Sequence, residues 1–313
     1  MISNTVTSSA ASRLSGAGSA EETLRGSEAG GETLAPRPRT QHAAGGPLPR
    51  YSPVREVPVP TIRDQTILIT GASSGLGHGL ALALAGHHNR FVLTARRKER
   101  LDALAAQLEA RGSQALVVPA DALDQGACEN VLQQAISTFG HIDVAVLNAG
   151  GGTAMSMSTA TTEQVLGIMR LNYDTVVHFL CPLIAHMKPR GQGLLAVTGS
   201  PAGFFGLPKS GPYSAAKAAV RLLIDTCRIE LAGTGIDLVA LYPGFTHTDA
   251  LDPEDVPTKA LIIDVDRAVA EMKWALERRR SHHLFPNRIA WLITLARWLP
   301  EPVRRFILRR AGG

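Results

Sequence analysis

From Thr66 onward the chain alternates short, uninterrupted apolar runs with stretches of helical periodicity, and this alternation constrains the fold more than any other feature. Thr66–Thr70, Phe91–Ala95, Ala115–Pro119, Asp143–Leu147, Leu194–Thr198 and Asp237–Leu241 read as strands, with His282–Phe285 a short further one. The intervening stretches Leu76–Ala85, Lys98–Arg111, Gln125–Thr138, Tyr213–Ala232 and Asp266–Arg280 read as helices. Between the strands at Asp143 and Leu194 the pattern predicts a pair of helices, Thr162–Arg170 and Val176–Met187. A strand apolar on both faces must be covered on both, and helices that alternate with such strands supply that cover. The expectation is an α/β domain, a doubly wound parallel sheet that binds its ligands at the carboxyl ends of the strands.

The flanks differ in composition. Residues 1–62 are rich in Ser, Ala, Gly, Thr, Glu and Pro, and include the Pro-containing runs Ala35–Pro38 and Val57–Pro60. Such a segment buries too little apolar area to offset its ordering entropy, so a disordered tail is expected. A lack of acids over the first twenty residues, with the single arginine Arg13, is a faint echo of an organelle transit peptide, and a downstream start is a third reading. The domain itself spans 63–287. Residues 288–313 form an extension: Ile289–Leu299 is apolar and aromatic, Pro300 and Pro302 break it, and Val303–Arg310 is apolar and arginine-rich. The formal net charge of +5 and pI of about 9.4 owe much to arginines between Arg278 and Arg310. No apolar run is long enough to span a bilayer, and no signal peptide is evident. Cys128, Cys181 and Cys227 lack metal-ligand spacing, and their odd number argues against a disulfide framework, so no metal is expected and a reducing, cytoplasmic setting is.

Thr70-Gly71-Ala72-Ser73-Ser74-Gly75-Leu76-Gly77 closes the first strand and opens the first helix. Its glycines permit a tight turn and close backbone approach, while the helix start offers free N–H groups and a positive dipole end. A pyrophosphate suits that place, which makes Gly71, Ser73, Ser74, Gly75, Leu76 and Gly77 candidate cofactor residues and the fold Rossmann-like. The next strand ends Thr94-Ala95-Arg96-Arg97. An acid here would bind a ribose 2′-hydroxyl; Arg96 and Arg97 instead suit a 2′-phosphate through charge-assisted bonds. The cofactor expected is NADP(H).

Tyr213 and Lys217 stand four residues apart, on one face of a helix. A free phenol titrates at about 10, and a neighbouring cation stabilises the phenolate and lowers that value. Tyr213 is thus the candidate acid/base for a carbonyl or an alcohol while a hydride moves.

Over about residues 66–248 these elements resemble, in order and spacing, the short-chain dehydrogenase/reductase family. The resemblance implies an oxidoreductase acting on a carbonyl/alcohol pair, with Arg96 the main contact to NADP(H). It implies that Asp121 meets the adenine and that Asn148-Ala149-Gly150 supports the sheet beside the adenosine ribose, although Leu147 stands where many members carry a second Asn. It further implies that Ser200 bonds the substrate oxygen and that Lys217 bonds the nicotinamide ribose. Asn172 would hold a relay water to the Lys, and Pro243, Gly244 and Thr248 would lie beside the nicotinamide amide. Family members are usually dimeric or tetrameric through long helices, here near Val176–Met187 and Tyr213–Ala232.

Phe204, Phe205 and Leu207, Met155 and Met157, and the loop Phe245–Leu261 with Leu251 and Val256 suggest an apolar pocket and a hydrophobic ketone, aldehyde or alcohol. A core role for them is the competing reading, as a silent cofactor-binding regulator is for the whole chain. The extension suits an interfacial helix on anionic lipid, or a helix packed on the enzyme's own core or a partner subunit. Nucleic acid is not expected as a partner, because no recognition module accompanies the basic tail.

Overall fold

The computed structural model describes residues 61–152, 154–246 and 262–311. The tail ahead of residue 61, Thr248, and the loop positions Leu251, Val256 and Leu261 lie outside the described residues.

The strands occupy the apolar runs to within a residue or two. They are β1 (Thr66–Thr70), β2 (Arg90–Thr94), β3 (Gln114–Val117), β4 (Val144–Leu147), β5 (Gly193–Thr198), β6 (Ile236–Pro243) and β7 (His282–Phe285). Every neighbouring pair is parallel, in the order β3-β2-β1-β4-β5-β6-β7. Successive side chains point to opposite faces of a strand. Ile67 and Ile69, Val144 and Val146, and Val239 and Leu241 therefore face one core, which the helices α1 (Gly75–Ala83), α2 (Lys98–Glu109) and α6 (Val265–Glu277) cover. Leu68, Ala145 and Leu147, and Leu238 and Ala240 face the other, under α3 (Gln125–Phe139), α4 (Thr162–Met187) and α5 (Gly211–Glu230). The fold is Rossmann-like, with two further helices, α7 (Asn287–Trp298) and α8 (Glu301–Ala311), after β7.

One expectation is corrected. The pair of helices predicted between β4 and β5 is a single helix, α4, of 26 residues. The polar stretch at its middle lies within the helix, where Asn172 Nδ2 donates to the Ile168 carbonyl at 3.0 Å and Thr175 Oγ1 to the Leu171 carbonyl at 2.8 Å. Each side chain turns back four residues along its own helix, so a stretch that reads as a breaker is accommodated within it. A capping box starts the helix: Gln164 N donates to Thr161 Oγ1 at 3.3 Å, and Thr161 N to Gln164 Oε1 at 3.0 Å.

The order of strands sets the location of the site. β2 and β3 lie on one side of β1, and β4 to β7 on the other, so chain progression reverses between β1 and β4. The helices that leave these two strands cover opposite faces, and a crevice opens at their carboxyl ends.

The opposite end of β1 is held by Asn89, which is fully buried. Its Nδ2 donates to the carbonyls of Ile62 and Leu84 at 3.0 and 2.9 Å, and its Oδ1 accepts from Gln65 N at 3.1 Å. Asn89→Ala strands three buried backbone groups and is expected to lower stability by about 3 kcal/mol. Urea unfolding checks this through a reduced midpoint at unchanged slope.

Candidate active site

The Gly-rich loop leaves β1 with Gly71 at φ +66°, and a Cβ there would lie 3.1 Å from Ala149 Cα. A Cβ on Gly77 would lie 2.5 Å from the Gly71 carbonyl oxygen and 2.9 Å from Asn148 Nδ2. The loop, the start of α1 and the end of β4 are thus packed against one another at distances that only glycine permits. Ser74 caps α1 without bonding the helix through its side chain, and no acid lies in the first turn. Its hydroxyl instead accepts from Arg97 Nη2 at 2.8 Å, while Arg97 Nε and Nη2 reach Ser73 Oγ at 3.2 and 2.9 Å. A guanidinium and the positive end of a helix dipole therefore meet at a helix start whose first N–H groups take no side-chain acceptor. Arg96 is exposed, and makes no hydrogen bond or ion pair among the described residues.

Asn148, Ala149 and Gly150 are held by strand-end hydroxyls on either side. Thr70 Oγ1 accepts from Asn148 N at 2.9 Å and from Ala149 N at 3.0 Å, and Thr198 Oγ1 donates to Asn148 Oδ1 at 3.0 Å. Gly150 has φ +155°, and a Cβ on it would lie 2.9 Å from Asn172 Oδ1 and 3.5 Å from Lys217 Nζ. The Asn172 amide faces the same loop. Its Nδ2 donates to the Gly151 carbonyl at 2.5 Å, and its Oδ1 accepts from Gly151 N at 3.2 Å.

Ser200 lies two residues beyond β5 and caps a short 3-10 turn, Pro201–Phe204, its Oγ accepting from Ala202 N at 3.2 Å. This turn lies so close to α5 that a Cβ on Gly203 would come within 2.8 Å of the Lys217 carbonyl group. Ser200 is thereby placed beside the Tyr213 phenol, one helical turn before Lys217. Lys217 is buried, its Nζ donating to the Thr198 carbonyl at 3.0 Å and lying 5.6 Å from the centre of the Tyr213 ring. Burial raises the phenol above its ordinary value, opposed by the Ser200 hydroxyl, and lowers the Lys217 ammonium to about 8. This departs from the expectation of a phenol lowered by its cation, because desolvation outweighs the cation here and favours the neutral form of both groups.

The remaining candidates are placed as follows. Pro243 ends β6, and Gly244 N donates to the Phe285 carbonyl at 2.8 Å. Asp121 is exposed beyond β3, its Oδ1 accepting from Leu123 N at 3.0 Å in a local turn, outside the cluster around Tyr213. Met155 N donates to the Lys209 carbonyl at 2.6 Å, and a Cβ on Gly211 would lie 3.2 Å from Met157 Cγ, so both methionines stand at the start of α5. Phe204, Phe205 and Leu207 line a groove of about 710 Å³ facing α8, which neither Ser200 nor Tyr213 borders. Tyr242 is core, packed edge-on to Phe204 at 5.1 Å.

The sequence reading assigns no site role to Thr70, Thr198, Gly151, Gly152 or Gly203. A Cβ on Gly152 would lie 3.1 Å from Tyr213 Cδ2, so that glycine seats the phenol ring. Each of these residues adjoins a candidate in the sequence or ends a strand, and that position was the available signal.

Comparison with known proteins gives the family and the fold. A family model described as short chain dehydrogenase matches residues 65–257. An uncharacterized oxidoreductase of Myxococcus xanthus is 32% identical over 246 residues, covering 79% of this chain and 97% of its own. A protein of Pinus massoniana named 11-beta-hydroxysteroid dehydrogenase is 33% identical over 190 residues, which are 60% of this chain and 53% of its own. An alcohol dehydrogenase of the archaeon Thermococcus sibiricus, solved with 5-hydroxy-NADP, superposes with a TM-score of 0.63 at 25% identity over 71% of this chain and 95% of its own. A short chain dehydrogenase/reductase of Burkholderia phymatum, solved with NAD, has a TM-score of 0.69 at 23% identity over 76% of this chain and 94% of its own.

The depressed value of Lys217 has a measurable sign. Between about 8 and 10.5 the unfolded chain binds a proton at this lysine that the folded chain has released, so the lysine's contribution to stability rises with pH across that window and is least favourable below it. The stability of the wild type relative to Lys217→Met is expected to grow by about 3 kcal/mol or less from the bottom of the window to its top. Urea unfolding of the cofactor-free proteins at several pH values checks it, and a flat difference counts against a desolvated ammonium.

Proposed function

The chain belongs to the short-chain dehydrogenase family, and we propose that it is an NADP(H)-dependent oxidoreductase interconverting a carbonyl and an alcohol on a hydrophobic substrate. The observation that carries this reading is the convergence of Ser200, Tyr213, Lys217 and the Asn172–Gly151 pair at the carboxyl ends of β4 and β5.

The crevice suits a dinucleotide on its own terms. The glycine positions 71 and 77 leave a cradle that a Cβ would fill, the α1 N–H groups take no side-chain acceptor, and a guanidinium rather than a carboxylate stands at the loop. Gly71, Ser73, Ser74, Gly75, Leu76 and Gly77 would hold the pyrophosphate. Asn148, Ala149 and Gly150 would border the adenosine ribose, and Pro243 and Gly244 the nicotinamide. The choice of NADP(H) rests on Arg96 and Arg97 at the end of β2, where no acid stands. The Thermococcus enzyme's complex with an NADP derivative is consistent with it. Asp121 remains the candidate for the adenine and Thr248 for the nicotinamide amide.

When bound, the nicotinamide supplies or accepts the hydride. The protein handles the proton. A raised phenol value keeps Tyr213 protonated near neutral pH, ready to donate to a carbonyl oxygen as negative charge develops there. The Ser200 hydroxyl orients and polarises the same oxygen. Lys217 lies behind the phenol and can restore its proton, and its value of about 8 allows that exchange near neutrality. Asn172 fixes the loop at Gly151 that borders this path. The hydrophobic character of the substrate is supported by Met155 and Met157 at the start of α5 and by the hydroxysteroid dehydrogenase name of the Pinus relative.

Tyr213→Phe is expected to lower turnover of apolar ketones and aldehydes by about two to four orders of magnitude while NADPH binding is retained. NADPH absorbance and fluorescence titration read the two quantities, and turnover that survives the change rejects the assignment. Tight NADPH binding by the wild type with no turnover over a broad panel would favour a regulator.

Arg96→Ala is expected to weaken NADPH binding by about tenfold or more and to leave NADH binding within about twofold, since the loss is that of a charge-assisted bond to the 2′-phosphate alone. Equal loss for both nucleotides would count against NADP(H).

A further inference from the structure

The extension after β7 is folded with its apolar side turned outward. On α7, Ile289 is buried and Ile293 and Ala296 are half-buried, one face at helical spacing. Ile289 Cδ1 and Pro286 fill the space a Cβ on Gly244 would need, which seats the helix against the turn after β6. The opposite face is Trp291, Leu292, Leu295 and Trp298, with the two indoles 75% and 85% exposed. On α8, Arg304 and Leu308 face the enzyme, with the Arg304 guanidinium 5.5 Å from the Phe205 ring centre, while Val303, Phe306 and Ile307 are exposed. A surface helix ordinarily buries its apolar stripe and shows its charges. Here two consecutive helices show seven large apolar side chains, and exposed apolar surface of that extent marks an interaction site.

Charge identifies the occupant. Arg288 is exposed at the start of α7 and Arg310 on α8, stacked on Phe306 at 5.0 Å, while Arg305 and Arg309, also exposed, border the groove between α8 and Phe205. Glu301 is the single acid among residues 287–311, and of these exposed arginines Arg305 alone reaches it, at 3.9 Å. A second copy seated by two-fold symmetry would set this arginine-rimmed face against itself. An anionic bilayer offers both of the required complements, an acyl region for the apolar stripe with indoles at the headgroup boundary and lipid phosphates for the arginines. No described helix is long and apolar enough to cross the membrane, so the contact is with its surface. We propose that the outer face of α7 and α8 docks on anionic lipid. The docking itself does not rest on the substrate proposed above.

The test is flotation of the full chain with phosphatidylcholine vesicles and with vesicles of phosphatidylcholine and phosphatidylglycerol, alongside indole fluorescence. The expected result is binding at least about tenfold tighter to the anionic vesicles, salt-sensitive, with emission shifted to the blue. Trp291→Ser/Trp298→Ser should remove the shift and most of the binding, and Arg288→Gln/Arg310→Gln should weaken binding severalfold, with unchanged circular dichroism in both. Absence of flotation on anionic vesicles at low salt overturns the proposal. So does a lipid-free dimer that the tryptophan variant dissolves, which would name a second copy as the occupant. Equal binding to both vesicle types overturns the role of the arginines and with it the choice of anionic lipid.

Discussion

Two threonine hydroxyls, at the ends of the strands that flank β4, carry the site. Thr70 accepts the N–H groups of Asn148 and Ala149, and Thr198 donates to the Asn148 side chain while its carbonyl takes Lys217 Nζ. These bonds tie β1, β4 and β5 together where each strand stops, so that the crevice between β1 and β4 has a floor of defined shape. Everything that touches a ligand in the proposed reaction hangs from that floor: the Gly-rich loop through Gly71 and Gly77, the Gly150–Gly152 loop through Asn172, and the acid through Lys217. Both threonines are buried, so an unmet partner there would be destabilising.

Burial then decides the chemistry. A lysine in water would stabilise a phenolate beside it, but inside the protein its own charge is disfavoured first. Lys217 donates to the Thr198 carbonyl, and its value falls to about 8, while the phenol of Tyr213 rises. Both groups are driven toward the forms that exchange a proton without leaving a stranded ion. In the proposed reaction, stability opposes function at this one residue, since an apolar side chain at 217 would relieve the desolvation and remove the group proposed to return a proton to the phenol.

The sheet was legible because parallel strands buried on both faces leave uninterrupted apolar runs, and Ile67–Ile69 or Leu194–Val197 admit little else. The candidate cluster was legible through short motifs that survive as words: the Gly-rich loop, Asn148-Ala149-Gly150 and the Tyr213/Lys217 spacing. What could not be read was whatever depends on a partner distant in sequence. The unity of α4 rests on side chains of Asn172 and Thr175 that turn back to their own helix, a choice that composition does not reveal. Gly152 looks like any loop glycine until the Tyr213 ring lies against it. Phe204 and Phe205, apolar and close to Ser200 in sequence, turn toward Tyr242 and toward α8 instead of the phenol. The direction of the Tyr213 shift was misjudged because spacing reports proximity of a charge and says nothing about its desolvation.

The C-terminal helices follow from the same separation of near and far. Their composition announces an amphipathic segment, but which side is inward is set by one contact, the seating of Ile289 at a glycine of β6's exit turn. A larger residue at 244 would close that seat. With Ile289 inward, helical spacing obliges Trp291, Leu295 and Trp298 to point away from the enzyme, and the short break at Pro300 carries the same outward apolar face into α8. The glycine proposed to border the nicotinamide at the end of β6 is therefore also the residue that orients the extension. The outer surface of α7 is coupled through it to the turn beside the proposed nicotinamide position, by packing alone.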